Sequence, residues 1–221
     1  MKKMQLTADM KNLNGLTPDT ASLLHDMSGF DFLDDLVFVG GSALTVFLRH
    51  RLSEDLDFFT PSAALQTEKI LNRIRLCFPG QFIIRYMDEG HLDLKIKTVN
   101  VTFSANRWKQ FGEPETLCGH VRIASLDVLT AMKINTLFLR AKFRDYYDVY
   151  VINKDVFPLT RMFDIFKGYL PEMNKKLFQT ALVYTDDIQE DNIRHLQPIY
   201  PLTITRIRAH FEQEIKRWIA L

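Results

Sequence analysis

Two aspartates separated by one residue have the spacing of a metal-binding pair. Asp55 and Asp57 alternate with the apolar residues Leu56 and Phe58, and alternate residues of a strand project from the same face. Because like charges this close repel each other, a cation between them would stabilise the pair. Carboxylate oxygens without histidine or cysteine ligands favour Mg²⁺ or Mn²⁺. Two such ions about 4 Å apart can activate an attacking oxygen and stabilise a departing pyrophosphate.

A glycine pair and a serine precede the acids. Gly40, Gly41 and Ser42 follow the apolar run 37–39 and open a helix predicted to end near residue 49. Residues without side chains let a ligand touch the backbone, and a helix N-terminus offers unpaired N–H groups that suit phosphate. The Walker A pattern is absent, so this is not a P-loop. Taken alone, the glycine pair is also consistent with a plain turn and the acid pair with a solvated strand face.

The order and spacing of the two motifs resemble a known superfamily. Gly41-Ser42, then twelve residues, then Asp55-x-Asp57, in a strand–turn–helix context, is similar to the signature of DNA polymerase β-type nucleotidyltransferases. The stretch GGSALTVFLRHRLSEDLDFFT resembles the AbiEii/AbiGii-type toxin nucleotidyltransferases. The later segments IASLDVLTAMK and RAKFRDYYDVY are similar to that family's downstream block, and the likeness covers roughly residues 35–155 in scattered blocks.

The resemblance implies a role for each matching position. Asp55 and Asp57 would ligate the metal ions. A nucleotide site would be formed by the glycines, the hydroxyls and the charged residues of both motifs: Gly40, Gly41, Ser42, Arg51, Ser53, Lys133, Arg140, Arg144 and Asp148. The catalytic set would add Asp93, Lys133 and Asp145 to the acid pair.

The third carboxylate is the open position in this assignment. Superfamily polymerases place another acid on a neighbouring strand, as metal ligand and as base for the attacking hydroxyl. Asp93, between Leu92 and Leu94, has the right local pattern for a third metal ligand. An exposed strand acid is the alternative for Asp93, and Asp145 would then be the candidate base.

Helix geometry indicates whether the basic residues of the later segments could lie on one face. If residues 133–148 formed one helix, Lys133, Arg140, Arg144 and Asp148 would fall within about 80° of its surface. Such a stripe could neutralise a triphosphate. A solvated stripe with an Arg144–Asp148 pair is the alternative, and a helix break at residues 140–142 would remove the argument.

The elements that must position these residues change in type along the chain. Helices are predicted at 17–29, 42–49 and from Pro61-Ser62 onward, with strands at 37–39, 56–59, 82–86, 91–96 and 99–104. Residues 111–119 are predicted to be a linker, and later segments are mostly helical apart from a short strand at 121–123. The fold class is therefore α+β: a polymerase β-like core with a small mixed twisted sheet, residues 1–115, and a helical C-terminal domain, residues 116–221. The site is expected in the cleft between the two domains.

Composition excludes several classes of protein. The 221 residues carry 28 Lys and Arg against 27 Asp and Glu, a net charge of +1, which argues against a basic coat protein or an acidic disordered tail. Two cysteines cannot form a disulfide framework or a cysteine zinc cluster. No secretory signal and no run of about 18 apolar residues is present. We therefore expect a cytoplasmic protein without membrane partners.

These features predict a nucleotidyltransferase. It would use Mg²⁺ or Mn²⁺ and move a nucleoside monophosphate from an NTP to an acceptor hydroxyl. The family resemblance implies a toxin role, an antitoxin protein as partner and tRNA as acceptor, although the residues themselves do not distinguish RNA from protein or a small molecule. The alternatives are a small-molecule (antibiotic) nucleotidyltransferase and a catalytically degenerate binding module with the same fold.

Overall fold

The computed structural model describes residues 6–105 and 107–220. The chain divides into two compact units, Met1–Leu126 and Asp127–Leu221. This break lies later than the predicted boundary at 115/116, because two further strands, at residues 115–118 and 121–123, belong to the sheet of the first unit. No helix in the described ranges is both long and apolar enough to cross a membrane.

The first unit is built on a seven-stranded mixed sheet, which confirms the predicted α+β class. Its strands run in the order β3-β4-β5-β2-β1-β7-β6. Their bounds are β1 (Val37–Val39), β2 (Asp55–Thr60), β3 (Phe82–Met87), β4 (His91–Ile96), β5 (Val99–Ala105), β6 (Glu115–Cys118) and β7 (Val121–Ile123). Strand β2 is antiparallel to β1 and parallel to β5. Strand β5 therefore lies beside β2, the strand that carries the two aspartates. Strand β4, which pairs with β5, is not adjacent to β2.

Alternation along the central strands separates a core face from a polar face. On β2, Leu56 and Phe58 are buried, whereas Asp55 and Asp57 are half-buried. Strands β4 and β5 repeat the pattern, and the rings of Phe58 and Phe103 stack on the core side. Burial of one face holds the register, because a slip of one residue would turn every apolar side chain to the other face. We call the opposite side, which carries Asp55 and Asp57, the acid face.

Three α-helices accompany the sheet in the described part of the first unit: α1 (Pro18–Met27), α2 (Gly40–Leu48) and α3 (Thr67–Cys77). Proline at the start of α1 is favourable there, because the first helical N–H has no partner within the helix. The prediction that a helix begins at Pro61-Ser62 was wrong, since residues 61–66 are irregular and α3 begins at Thr67. The predicted linker at 111–119 was also wrong in part, since it contains β6.

The described part of the second unit is helical, as predicted. Its helices are α4 (Leu126–Leu139), α5 (Phe143–Asp155), α6 (Leu159–Tyr169), α7 (Lys175–Val183) and α8 (Ile204–Ile219). Phe178 lies at the centre of an aromatic cluster with Phe163, Phe166 and Trp218. The cluster joins α6, α7 and α8, and α8 buries Ile207 and Phe211 on its apolar side.

Helices α4 and α5 are separate, so the condition for a single stripe over residues 133–148 is not met. Helix α4 ends at Leu139, and α5 has its own N-cap at Lys142, an extended residue with φ −121° and ψ 162°. The N–H of Lys142 donates to the carboxylate of Asp145 at 3.1 Å, which stabilises the start of α5. The angular argument for one stripe of cations therefore does not apply.

Candidate functional site

Asp57 faces the glycine bend, as its proposed role requires. Gly40 has a φ of +75°, and a Cβ built on it would lie 2.2 Å from Asp57 Oδ2. Only glycine combines this left-handed backbone with so close an approach. The carboxylate of Asp57 thus lies at the N-terminus of α2, where the helix dipole favours negative charge.

Ser42 and Ser53 are held inside the unit. The Ser42 hydroxyl contacts Ser53 Oγ at 2.8 Å and also donates to the backbone carbonyl of Asp55. Both serines are buried. Their hydroxyls therefore fix the start of β2 against the start of α2, and the backbone N–H groups of α2 are the part of this motif best suited to a phosphate.

Arg51 is also buried, and its guanidinium donates to the carbonyl of Leu52 at 2.9 Å. Ser53 forms backbone hydrogen bonds with Gly15 and Thr17, which tie the segment before β2 to the start of α1. Ser53 is linked to the Asp55 backbone through the Ser42 hydroxyl. The side chains of both Arg51 and Ser53 lie in the interior.

Asp55 is oriented by a residue of the adjacent strand. Asp55 and Asn100 are partners in the β2–β5 register, and Asn100 Nδ2 donates to Asp55 Oδ1 at 2.8 Å. Asp55 and Asp57 both lie on the half-exposed acid face. One side of the Asp55 carboxylate is therefore fixed by a neutral donor.

Asp93 lies one strand farther from the pair than the sequence predicts. Thr102 of β5 is in register with Asp57 on one side and Asp93 on the other. Thr102 Oγ1 donates to Asp93 Oδ1 at 2.7 Å, and His91 Nε2 lies 3.0 Å from the same oxygen. Since neighbouring strands are about 4.8 Å apart, Asp57 and Asp93 are separated by about 10 Å at the backbone.

The described residues contain no group of three or more His, Cys, Asp or Glu side chains arranged to hold a metal ion. The structure therefore does not bring Asp93 into one such group with Asp55 and Asp57. The β4–β5 hairpin places β5 between β2 and β4, and the residue of β5 opposite Asp57 is a threonine. Asp93 thus lies one strand beyond the acid pair, and its role as a third metal ligand stays a prediction.

The acid pair nevertheless fits a hard divalent cation. The donors are two half-exposed carboxylates on one face of β2, and the absence of a Cβ at Gly40 lets the Asp57 carboxylate lie directly against the start of α2. Mg²⁺ is commonly bound by one or two carboxylates, with water and substrate phosphate completing its shell. The donor set of Asp55 and Asp57 matches this pattern without a third protein carboxylate.

A second group of charged residues lies in the helical unit. Lys133 of α4 contacts Asp145 and Asp148 of α5, with Nζ–O distances of 2.9 Å and 2.8 Å. The side chains are 11%, 11% and 0% exposed for Lys133, Asp145 and Asp148. We call these three residues the buried triad. Tertiary packing of two helices, and not one continuous helix, brings them together.

Both oxygens of Asp145 are already engaged. Oδ1 accepts from Lys133 and Oδ2 accepts from the N–H of Lys142. This arrangement makes Asp145 an anchor for Lys133 and for the start of α5. Arg140, in the α4–α5 connection, is exposed, and Arg144 in the first turn of α5 is half-buried.

Sequence reasoning missed Asn100 and Thr102, which face the two aspartates from β5. The signal was present in part: polar residues alternate with apolar ones in VNVTFSA, the sequence of β5. Alternation shows that Asn100 and Thr102 share a face, but it cannot show which strand lies beside them.

Comparison with known proteins agrees with this architecture. The AbiEii family, described as nucleotidyl transferase AbiEii toxins of type IV toxin–antitoxin systems, matches residues 22–100 and 111–218. The protein aq_aa25 of Aquifex aeolicus (strain VF5), itself uncharacterised, is 22% identical over 214 residues, covering 92% of this chain and 98% of its own.

Two solved structures share the fold. MenT4, a nucleotidyltransferase toxin from Mycobacterium tuberculosis H37Rv, aligns with a TM-score of 0.59 and 16% identity, over 93% of this chain and 82% of its own. JHP933 from Helicobacter pylori aligns with a TM-score of 0.52 and 19% identity, over 93% and 98% of the two chains. With the family match extending over most of its length, the chain belongs to the AbiEii family of nucleotidyl transferase toxins.

Proposed function

We propose that this nucleotidyltransferase moves a nucleoside monophosphate from an NTP to an acceptor hydroxyl and releases pyrophosphate. The single observation that carries the proposal is the position of Asp57, whose carboxylate lies against the Gly40 bend at the start of α2. Phosphate-binding backbone and cation-binding carboxylates then occupy one place on the first unit.

Each residue of this site has a separate task. The N–H groups at the start of α2 bind the phosphates, while Asp55 and Asp57 hold a divalent cation. When bound, Mg²⁺ or Mn²⁺ would neutralise phosphate charge and stabilise the departing pyrophosphate. Ser42 and Ser53 keep the glycine bend and the acids in fixed register through their mutual hydrogen bond.

We also assign a catalytic role to the buried triad and its neighbours. Lys133 would counter phosphate charge, with Asp145 and Asp148 fixing its position. The exposed Arg140 and the half-buried Arg144 are candidates for further contacts with the triphosphate. Asp93 stays a candidate base, since its carboxylate lies in the same register row as Asp57.

The family supports a toxin role, with an antitoxin protein as partner and a cytoplasmic site of action where NTPs are found. As acceptor we propose RNA, with tRNA 3′ ends as the first substrate to test. This choice follows the family resemblance and not a contact in the structure.

The test compares wild type with Asp55→Ala/Asp57→Ala in a bacterial host. We expect wild type to arrest growth and to extend tRNA 3′ ends, and the double variant to do neither. The control is Asp31→Asn, an exposed acid of the same unit that contacts Lys69. Equal toxicity of wild type and the double variant would remove the proposed role of the acid pair.

A binding module without catalysis is the second candidate. The observation that favours it is the separation of Asp93 from the acid pair. Radiolabelled NTPs incubated with RNA, protein and small-molecule acceptors distinguish the two functions. Metal-dependent NTP binding with no label transferred to any acceptor would support the binding module.

A further inference from the structure

Asn100 occupies a position on the acid face that neither motif includes. It lies on β5 opposite Asp55, and its amide nitrogen donates to Asp55 Oδ1 at 2.8 Å. The reverse orientation of the amide would put its oxygen against the carboxylate oxygen. The amide orientation therefore follows from the negative charge of Asp55.

The other half of this amide has no partner. Asn100 Oδ1 is buried, and no donor among the described residues is within hydrogen-bond distance. A buried acceptor without a donor costs free energy, so native structures seldom keep one. Valine or leucine would fit an alternating strand at lower cost. The position thus carries a polar group that the folded chain does not itself satisfy.

We propose that Asn100 is a positioning residue for the cation site of Asp55 and Asp57. Its Nδ2 fixes Asp55 Oδ1 and leaves Asp55 Oδ2 for the cation, while its Oδ1 accepts a hydrogen bond from a water molecule bound to that cation. This inference rests on the proposed function, because it requires that the acid pair bind a divalent cation. Outer-shell groups of this kind change metal affinity by about 10-fold to 100-fold.

A purely structural role would give a different pattern of effects. If Asn100 served only to hold β5 against β2, its replacement would lower thermal stability and leave cation affinity unchanged. If it positions the cation site, Asn100→Leu removes an unsatisfied buried acceptor and keeps the branched shape of the side chain. We then expect unchanged or raised thermal stability together with weaker cation binding.

The experiment measures Mn²⁺ binding to the full chain by electron paramagnetic resonance, with Mn²⁺ alone as the probe. Asn100→Leu and Asn100→Ala are compared with wild type, and melting temperatures are recorded for each protein. The matched control is Asn72→Ala, which removes an exposed amide that contacts Arg75 on α3. Asp57→Ala reports the loss of a direct ligand.

We expect both Asn100 variants to bind Mn²⁺ about 10-fold to 100-fold more weakly than wild type, with Asn72→Ala unchanged. Affinity within twofold of wild type in either folded Asn100 variant would overturn the inference and leave the proposed function standing. If wild type and Asp57→Ala bind Mn²⁺ equally, the proposed cation site fails, and the inference fails with it. Should one variant not fold, the other decides the outcome.

Discussion

The two units each place a pair of aspartates close together, but they treat the negative charge differently. In the second unit, Lys133 lies between Asp145 and Asp148 in the interior. In the first unit, Asp55 and Asp57 lie half-exposed on the acid face, and Asp55 is held by the neutral amide of Asn100. The buried triad thus supplies its own cation, whereas Asp55 receives only an uncharged donor from β5.

This difference separates two environments: carboxylates buried with a cation of the protein itself, and carboxylates partly exposed to water. A buried carboxylate needs a partner in the folded protein itself, since desolvation otherwise costs several kcal/mol. A half-exposed carboxylate keeps part of its hydration and can exchange it for a cation. We therefore expect substitutions in the buried triad to act first on stability, and substitutions of the acid pair to act on ligand binding.

The largest effect on stability is expected for Lys133→Met. This change leaves Asp145 and Asp148 in the interior without their shared cation, and we expect the free energy of unfolding to fall by about 3–5 kcal/mol. Urea titration followed by circular dichroism measures it.

The matched control is Lys97→Met, which breaks an exposed pair of 3.1 Å with Asp26 in the first unit. We expect a loss of about 0–1 kcal/mol there. Equal losses in the two variants would show that the buried triad is no more important to the fold than a surface pair.

A smaller effect is expected at the glycine bend. Gly40 and Gly80 both have positive φ, +75° and +69°, but a Cβ on Gly40 meets Asp57 whereas a Cβ on Gly80 meets nothing within 4 Å. Gly80→Ala should cost about 1 kcal/mol for backbone strain, and Gly40→Ala about 2 kcal/mol.

We attribute the additional loss of stability in Gly40→Ala, relative to Gly80→Ala, to the contact with Asp57. A double-mutant cycle tests this. In an Asp57→Ala background only the Cβ of residue 57 stays near the added methyl group, at 3.2 Å, so most of the excess cost of Gly40→Ala over Gly80→Ala should be lost. If the excess persists in that background, the carboxylate of Asp57 does not lie against the bend as described.

Local patterns predicted most of the elements but not their neighbours. The strand before Gly40, the alternating strand of Asp55 and Asp57 and the β4–β5 hairpin were confirmed, because each depends on sequence-local turn chemistry and alternation. The parallel pairing of β2 with β5 joins segments about 45 residues apart, and alternation carries no information on such pairing. Asp93 was therefore expected too close to the acid pair, and Asn100 was not considered.

The buried triad illustrates the same limit. The family resemblance singled out Lys133, Asp145 and Asp148, but the only geometric argument from the sequence placed Lys133 and Asp148 on one stripe with Arg140 and Arg144, and it required one continuous helix. Helix α5 instead begins anew beyond Lys142, and the three residues meet through packing of two helices. The contacts of Lys133 with Asp145 and Asp148 were therefore not predicted from the sequence.

Ionisation of Tyr146, which follows Asp145 of the buried triad, gives a smaller and pH-dependent effect on stability. Burial, with help from the nearby Asp145, raises the pKa of Tyr146 to about 12. Because the folded state disfavours the phenolate, its contribution to stability is complete below pH 10 and is lost as the pH rises toward about 12.

Tyr146→Phe should remove this dependence. The hydroxyl donates to the carbonyl of Ala181 at 2.9 Å and to that of Tyr184, so we expect a loss of about 1 kcal/mol near neutral pH. The stability difference between wild type and variant should shrink as the pH rises above 10. A constant difference across that range would show that Tyr146 titrates normally.

The smallest effect on stability is expected for Asp57→Asn, the substitution expected to abolish cation binding. Removing one of two neighbouring carboxylates relieves repulsion with Asp55 but loses the favourable charge at the N-terminus of α2. The two changes oppose each other, so we expect the free energy of unfolding to stay within about 0.5 kcal/mol of wild type. The same urea titration measures it, beside Mn²⁺ binding on the same samples. A loss as large as that of Lys133→Met would mean that Asp57 is a structural charge like those of the buried triad, and the contrast between the two units would not hold.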